Sequence, residues 1–201
     1  MKLKILIIGF ILISSYTFSQ EKEDLFSMIE QDQKQIELLP EKMIFTQSLL
    51  WGKNGLLRKT GISPLNLENR EKELKIRKTM LTTHQAIGYL TLASMIAQGI
   101  IGGKLYNGDE SLRSTHNTMG KVVNIGYFTG AGLSLFSPPP LINKKKSKGF
   151  DSIKAHKILA TVHFSAMVAT NHYKYRDKKV HKAAAYTAFA SYATAVLVIK
   201  F

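Results

Sequence analysis

Four histidines in this 201-residue chain each stand at the start of an apolar stretch, with a small residue four positions later. The four pairs are His84 and Gly88, His116 and Gly120, His156 and Ala160, and His181 and Ala185. On a helix, residues four apart share one face. An imidazole can bind a metal ion, and a small residue one turn away leaves room for a flat macrocycle beside the helix. The spacing therefore predicts helices that hold a metal-bearing macrocycle.

The helices that must position these histidines are predicted from four uncharged apolar runs. The runs are residues 79–103, 122–143, 158–173 and 183–199. The first two are long enough to cross a bilayer, and the shorter two cross it if flanking lysines extend to the headgroups. Short connections predict that successive helices alternate in direction. We therefore predict an all-α fold, an up-down-up-down four-helix transmembrane bundle with a small helical extracytoplasmic N-terminal extension.

This topology sorts the histidines into two levels. His84 and His156 are expected near one membrane surface, and His116 and His181 near the other. The first and third helices lie diagonally across the bundle, as do the second and fourth, so each level presents two facing imidazoles. That arrangement suits two six-coordinate haems. The alternative for each histidine is an interfacial polar residue without a metal.

Two histidines lie outside this pattern. His163 follows His156 by seven residues and shares its helical face. It is either the iron ligand of the third helix or a polar neighbour that hydrogen-bonds within the core. His172 is expected to face away from the core, at the membrane interface.

The composition excludes several classes of protein. Because the chain contains no cysteine, it has no disulfide, no thiolate-bound cluster and no covalently attached c-type haem. The net charge of +14 lies mostly beside the apolar runs, which indicates contact with the lipid bilayer and argues against nucleic acid. The runs contain no Asp or Glu, which disfavours a transporter of protons or metal ions.

The N-terminal part has two predicted regions. Residues 1–20 are typical of a secretory signal peptide, and an uncleaved signal anchor is the alternative. Residues 21–79 are expected to be extracytoplasmic, with the apolar side chains around Trp51 either on the membrane surface or capping the bundle. A helix is expected to begin at Pro64, with Ser63 as its N-cap.

The membrane-embedded part is then residues 80–201, a multi-pass domain in a bacterial-type cytoplasmic (inner) membrane. The signal peptide predicts that the N-terminal region is outside this membrane. The distribution of lysine and arginine favours the opposite orientation. We base the prediction on the signal because it acts first during export.

One histidine on each of four successive helices, paired first with third and second with fourth, resembles the cytochrome b561 fold over residues 80–201. The resemblance implies two non-covalent b haems, with His84 and His156 ligating one iron and His116 and His181 the other. It also implies electron transfer across the membrane. The extra helices of the eukaryotic members and their ascorbate-associated motif are missing, so the donor and acceptor are open, either small molecules or proteins. Cytochrome b subunits of bacterial dehydrogenases and hydrogenases, which belong to membrane redox complexes, are alternative relatives.

Two arginines are candidate contacts for the haem propionates. Arg77 lies on the same stripe as His84, about 10 Å along the helix axis. Arg113 flanks His116 on the other side. Contact with lipid phosphates is the alternative for both. The alternative function is a membrane anchor, with or without haem, that docks a soluble redox enzyme on residues 21–80.

Overall fold

The computed structural model describes residues 37–141 and 151–200, and residues from Leu38 onward form one unit. The predicted signal peptide at residues 1–20 lies outside the described residues. Within the described ranges the chain is all-helical, with no strand, which confirms the all-α part of the predicted fold. The four-helix transmembrane bundle stays a prediction.

Among the described residues, two short helices precede four long ones. They are α1 (Phe45–Trp51), α2 (Leu56–Lys59), α3 (Leu67–Tyr106), α4 (Arg113–Leu135), α5 (Ser152–Tyr173) and α6 (Lys178–Lys200). A single 3-10 turn, Glu110–Leu112, lies between α3 and α4 in this part of the chain. The helix α4 ends just before the run of three prolines at 138–140, as expected from their inability to continue a helix.

The start of α3 differs from the prediction. Asn66 is the N-cap, and its side-chain oxygen accepts the backbone N–H of Asn69 at 2.9 Å. The predicted cap, Ser63, instead donates its hydroxyl to the Glu73 carboxylate. The prediction was wrong because asparagine caps as well as serine does, and the serine hydroxyl has a stronger, charged acceptor. From this start, α3 continues for 40 residues without a break.

The long helices pack as the pairs α3–α4 and α5–α6, and α3 also contacts α6. Each pair is antiparallel because its connection is short. Six residues join α3 to α4, and Gly108 adopts a left-handed φ of 107° there. Four residues join α5 to α6.

Several large apolar side chains face outward, away from the packed interior. The core cluster consists of Met95, Val123, Tyr127, Ala166, Met167 and Ala188. In contrast, Leu90 on α3 and Ile125 on α4 are each 70% exposed. Two helices in the described ranges, α3 and α6, are long and apolar enough to cross a membrane.

An N-terminal cap (residues 38–64) packs on α3 and on the segment that follows α4. The Trp51 indole donates to the Phe136 carbonyl at 2.9 Å, and the Thr46 hydroxyl donates to the Leu135 carbonyl at 2.6 Å. These contacts fit the capping role, but Phe45 nearby is 78% exposed, so contact of this region with a membrane surface stays a prediction as well.

Buried ion pairs connect this cap to α3. Glu73 on α3 accepts from both Arg58 and Arg70, and its side chain is 2% exposed. Arg70 also donates to the carbonyls of Leu38, at 2.8 Å, and of Pro139, at 3.0 Å. One carboxylate thus joins α2, α3 and the proline segment.

Candidate functional site

The histidines of α3 and α5 form the first pair, called here the His84–His156 pair. Their ring centroids are 6.5 Å apart, with the ring planes at 90°. In each ring, Nδ1 contacts a backbone carbonyl of the helix that follows in the chain. His84 Nδ1 lies 2.8 Å from the Gly130 carbonyl oxygen on α4, and His156 Nδ1 lies 3.0 Å from the Ala195 carbonyl oxygen on α6.

The histidines of α4 and α6 form the second pair, called here the His116–His181 pair. Their centroids are 6.4 Å apart, and the ring planes make an angle of 77°. His181 Nδ1 lies 2.8 Å from the Thr170 carbonyl oxygen on α5. The structure therefore brings together the four sequence-predicted histidines in the two combinations that the topology predicted.

The carbonyl contacts define the tautomer of three of the four rings. A carbonyl oxygen can only accept, so the bond forms only when Nδ1 carries the hydrogen. Nε2 then keeps its lone pair and is the nitrogen that can ligate a metal. Backbone carbonyls behind metal-binding imidazoles act in this way in known metal sites, where they fix ring orientation and raise ligand basicity.

The separation of the rings within each pair also fits a shared metal ion. With metal–nitrogen bonds of about 2 Å, two imidazoles on opposite sides of one ion place their centroids about 6 Å apart. The described residues contain no group of three or more His, Cys, Asp or Glu that could hold an ion by themselves. Two imidazoles leave an octahedral ion four further positions to fill, and a tetrapyrrole macrocycle fills four positions in one plane. A pair of imidazoles is thus a donor set that fits haem.

His163 occupies a different place from the pairs. Its Nδ1 is 2.6 Å from the Tyr127 hydroxyl, and its ring centroid lies 5.0 Å from that of Tyr192. The Tyr192 hydroxyl in turn donates to the Gly88 carbonyl at 3.3 Å. His163 thus hydrogen-bonds beside an aromatic cluster from α4 and α6, which is the second of the two roles predicted for it. Whether it also lies beside a haem stays a prediction. His172 is exposed and lies against Arg176, as expected for an outward-facing residue.

The small residues near the histidines differ in what surrounds them. Gly88 is buried, whereas Gly120, Ala160 and Ala185 are partly buried. A Cβ on Gly88 would lie 3.6 Å from the Tyr192 hydroxyl, which is ordinary contact, and one on Gly120 would lie 3.2 Å from the Gln98 amide nitrogen. Their role beside a macrocycle is not decided by these contacts and stays a prediction.

The two candidate propionate contacts are bound to protein groups. Arg77 donates through one guanidinium nitrogen to the Pro138 carbonyl at 2.6 Å and to the Ser137 hydroxyl at 3.2 Å. Arg113 forms an exposed ion pair with Glu110. Neither contact tests the predicted role, which stays a prediction for both arginines.

Gln98 and Gly102 on α3 are site residues that sequence reasoning missed. The Gln98 amide nitrogen is 3.3 Å from His116 Nε2, and a Cβ on Gly102 would lie 2.9 Å from His116 Cε1. Gln98 follows His84 by 14 residues, two heptads, and so falls near the same stripe of α3. That periodicity was the available signal for it.

The chain was compared with family models, with curated proteins and with solved structures, and none of them matches it.

Proposed function

We propose that this chain is a membrane cytochrome that holds two b-type haems by paired histidines and carries electrons between the two sides of a bilayer. The observation that carries the proposal is the geometry of the two pairs. In both, the rings are separated by the distance that suits one shared iron, at 6.5 and 6.4 Å. Three of the four imidazoles are held through Nδ1 by backbone carbonyls.

The distribution of side chains supports a four-helix transmembrane bundle. Each of the four long helices carries large apolar side chains on its exposed face, and Leu90, Ile125, Ile158 and Leu197 are examples, one from each helix. Exposed large apolar side chains on all four long helices fit a surface that contacts lipid. At 1.5 Å per residue, the 23 residues of α4 and the 22 of α5 extend about 34 and 33 Å, enough for a hydrocarbon core of about 30 Å.

The chain's own residues bind, orient and separate the two centres. His84 and His156 would ligate one iron, and His116 and His181 the other. When bound, the haem iron supplies the one-electron change of valence. The Thr170 carbonyl on α5 contacts His181 and so marks the level of the second pair. Thr170 follows His156 by 14 residues on the same helix, so the two histidine pairs are about 21 Å apart along the bundle. No acid, base or nucleophile is required of the protein.

The proposed setting is a bacterial-type cytoplasmic membrane with the N-terminal cap outside. The His84–His156 pair then lies near the outer surface and the His116–His181 pair near the inner one. Electron donor and acceptor, small molecules or proteins, would exchange with the pair nearest their own side.

The deciding experiment is a pyridine haemochrome assay on the full-length protein, expressed with added haem precursor and purified in detergent. We expect two haem b per chain with low-spin, bis-imidazole absorption. His172→Ala, at an exposed histidine, is the matched control and should keep both haems. A preparation without haem b would refute the proposal. One haem per chain would refute its two-centre form.

A further inference from the structure

The two histidine pairs are not equivalent, and the difference lies at His116. In the other three histidines Nδ1 is bonded to a backbone carbonyl, and Nε2 is the nitrogen available to a metal. At His116 the ring nitrogen that has a hydrogen-bond partner is Nε2 and not Nδ1. Its Nε2 accepts a hydrogen bond from the Gln98 side-chain amide at 3.3 Å, and its buried Nδ1 has no partner.

The direction of the Gln98 amide is fixed by a second contact. Its nitrogen also donates to the His116 backbone carbonyl at 3.1 Å. Turning the amide over would place its oxygen against that carbonyl, and two acceptors repel each other. The N–H group therefore has to face His116, and it reaches the carbonyl and Nε2 together. The amide oxygen, on the other side, is buried and has no partner.

The ring of His116 is also confined sterically. It lies so close to α3 that a Cβ on Gly102 would be 2.9 Å from Cε1 and 3.2 Å from Nδ1. A side chain held between Gly102 and Gln98 cannot turn freely. The lone pair that would ligate iron is thus engaged by a neighbouring side chain of this same protein.

We infer that Gln98 is a positioning residue that makes the His116–His181 pair the weaker of the two haem sites, so that the His84–His156 pair loads first. This inference rests on the proposed function. Iron can bind His116 only after the Gln98 hydrogen bond is broken, whereas the His84–His156 pair requires no such change. The cost of one net hydrogen bond corresponds to a factor of about five in affinity.

The test isolates each pair and titrates haemin into the haem-free, detergent-solubilised full chain. His84→Ala leaves the His116–His181 pair intact, and His116→Ala leaves the His84–His156 pair intact. We expect haemin to bind more tightly to the His116→Ala chain than to the His84→Ala chain. Adding Gln98→Met, which keeps the length of the side chain but cannot donate, should tighten binding about fivefold in the His84→Ala chain. It should leave the His116→Ala chain unchanged.

Gln85→Met is the matched control, since it makes the same replacement on α3 at an exposed position. A second measurement needs no haem. In the haem-free chain, ¹⁵N NMR should show the His116 Nε2 signal shifting on Gln98→Met, while the signals of His181 stay in place. This readout separates release of the hydrogen bond from a general loss of structure.

The outcomes separate this inference from the proposal beneath it. If both isolated pairs bind haemin with equal affinity, or Gln98→Met weakens binding at the His116–His181 pair, only the role of Gln98 is refuted. An unmoved Nε2 signal refutes it as well. If neither isolated pair binds haemin, the proposed function falls, and the order of loading falls with it.

Discussion

Replacing His156 with alanine should remove one haem and leave the other, whereas replacing His163 should leave both. The two histidines share a face of α5, and sequence spacing alone permits either to be the ligand. The structure places His156 opposite His84, with centroids 6.5 Å apart. It places His163 against the Tyr127 hydroxyl, at 2.6 Å.

The size of the effect follows from these positions. His163 lies seven residues beyond His156, about 10 Å by helical rise, so it cannot take over the same iron without a shift of two helical turns. Loss of one of the two histidines that would ligate this iron should therefore lower the content from two haems to about one per chain. The second haem, about 21 Å away, should keep its spectrum. His163→Ala removes a polar group near the first site and should change only the midpoint potential, by some tens of millivolts; about 59 mV corresponds to 1.4 kcal/mol for one electron.

The assay combines the haemochrome stoichiometry with a redox titration followed in the visible spectrum. His172→Ala serves as the control, because it removes an exposed histidine from the same helix. If haem disappeared with His163→Ala and persisted with His156→Ala, the ligand level would lie deeper in the bundle. The assignment of His84 and His156 as ligands of one iron would then be wrong.

Three further results are expected from the same protein. Glu73→Gln should lower the free energy of unfolding by about 3 kcal/mol, because it leaves two buried guanidinium groups without their carboxylate. The control Glu71→Gln, in an exposed ion pair, should lower it by under about 1 kcal/mol. Thermal unfolding in detergent measures both changes. Burial opposes ionisation of Glu73, but hydrogen bonds from its neighbours outweigh it and hold its pKa below the usual 4.5, so this stabilisation is present above that pH and lost as the pH falls further. A chain with Glu73→Gln should accordingly show a shallower loss of stability on acidification, and an unchanged acid profile would contradict the assignment. Gly102→Ala should displace the His116 ring and weaken haem binding at that pair about tenfold or more, whereas Gly99→Ala, with nothing within 4 Å of the added Cβ, should bind both haems normally in the haemin titration.

Helical periodicity and topology were sufficient to predict which histidines meet. A histidine at the start of each apolar run, with short connections between runs, places His84 with His156 and His116 with His181 without any knowledge of side-chain positions. The run of prolines at 138–140 likewise accounts for the end of α4 at Leu135. These features depend on local rules, which a sequence carries directly.

Features that depend on competition between partners were not predictable in the same way. Ser63 and Asn66 both qualify as helix caps, and only the position of Glu73 decides that the serine is used elsewhere. Similarly, Gln98 reads as one more polar residue in an apolar run until the path of α4 brings His116 against it. Each outcome is set by a residue distant in the sequence. The 14-residue spacing from His84 places Gln98 near the histidine stripe of α3, but it does not identify His116 as the partner.

The four paired histidines lie on the inward-facing sides of helices whose outer faces are apolar, and their positions along the helices fit the proposed function. His156 follows the first residue of α5 by four positions, and His181 follows that of α6 by three, so each pair lies about one turn from a helix end. Their separation of about 21 Å is shorter than a hydrocarbon core of about 30 Å. Each centre would therefore lie a few ångströms inside its own surface, shielded from bulk water yet close enough to exchange an electron with a partner there. A single central pair would be far from both surfaces, and pairs at the very ends would lose the dry surroundings that help to set a haem's potential.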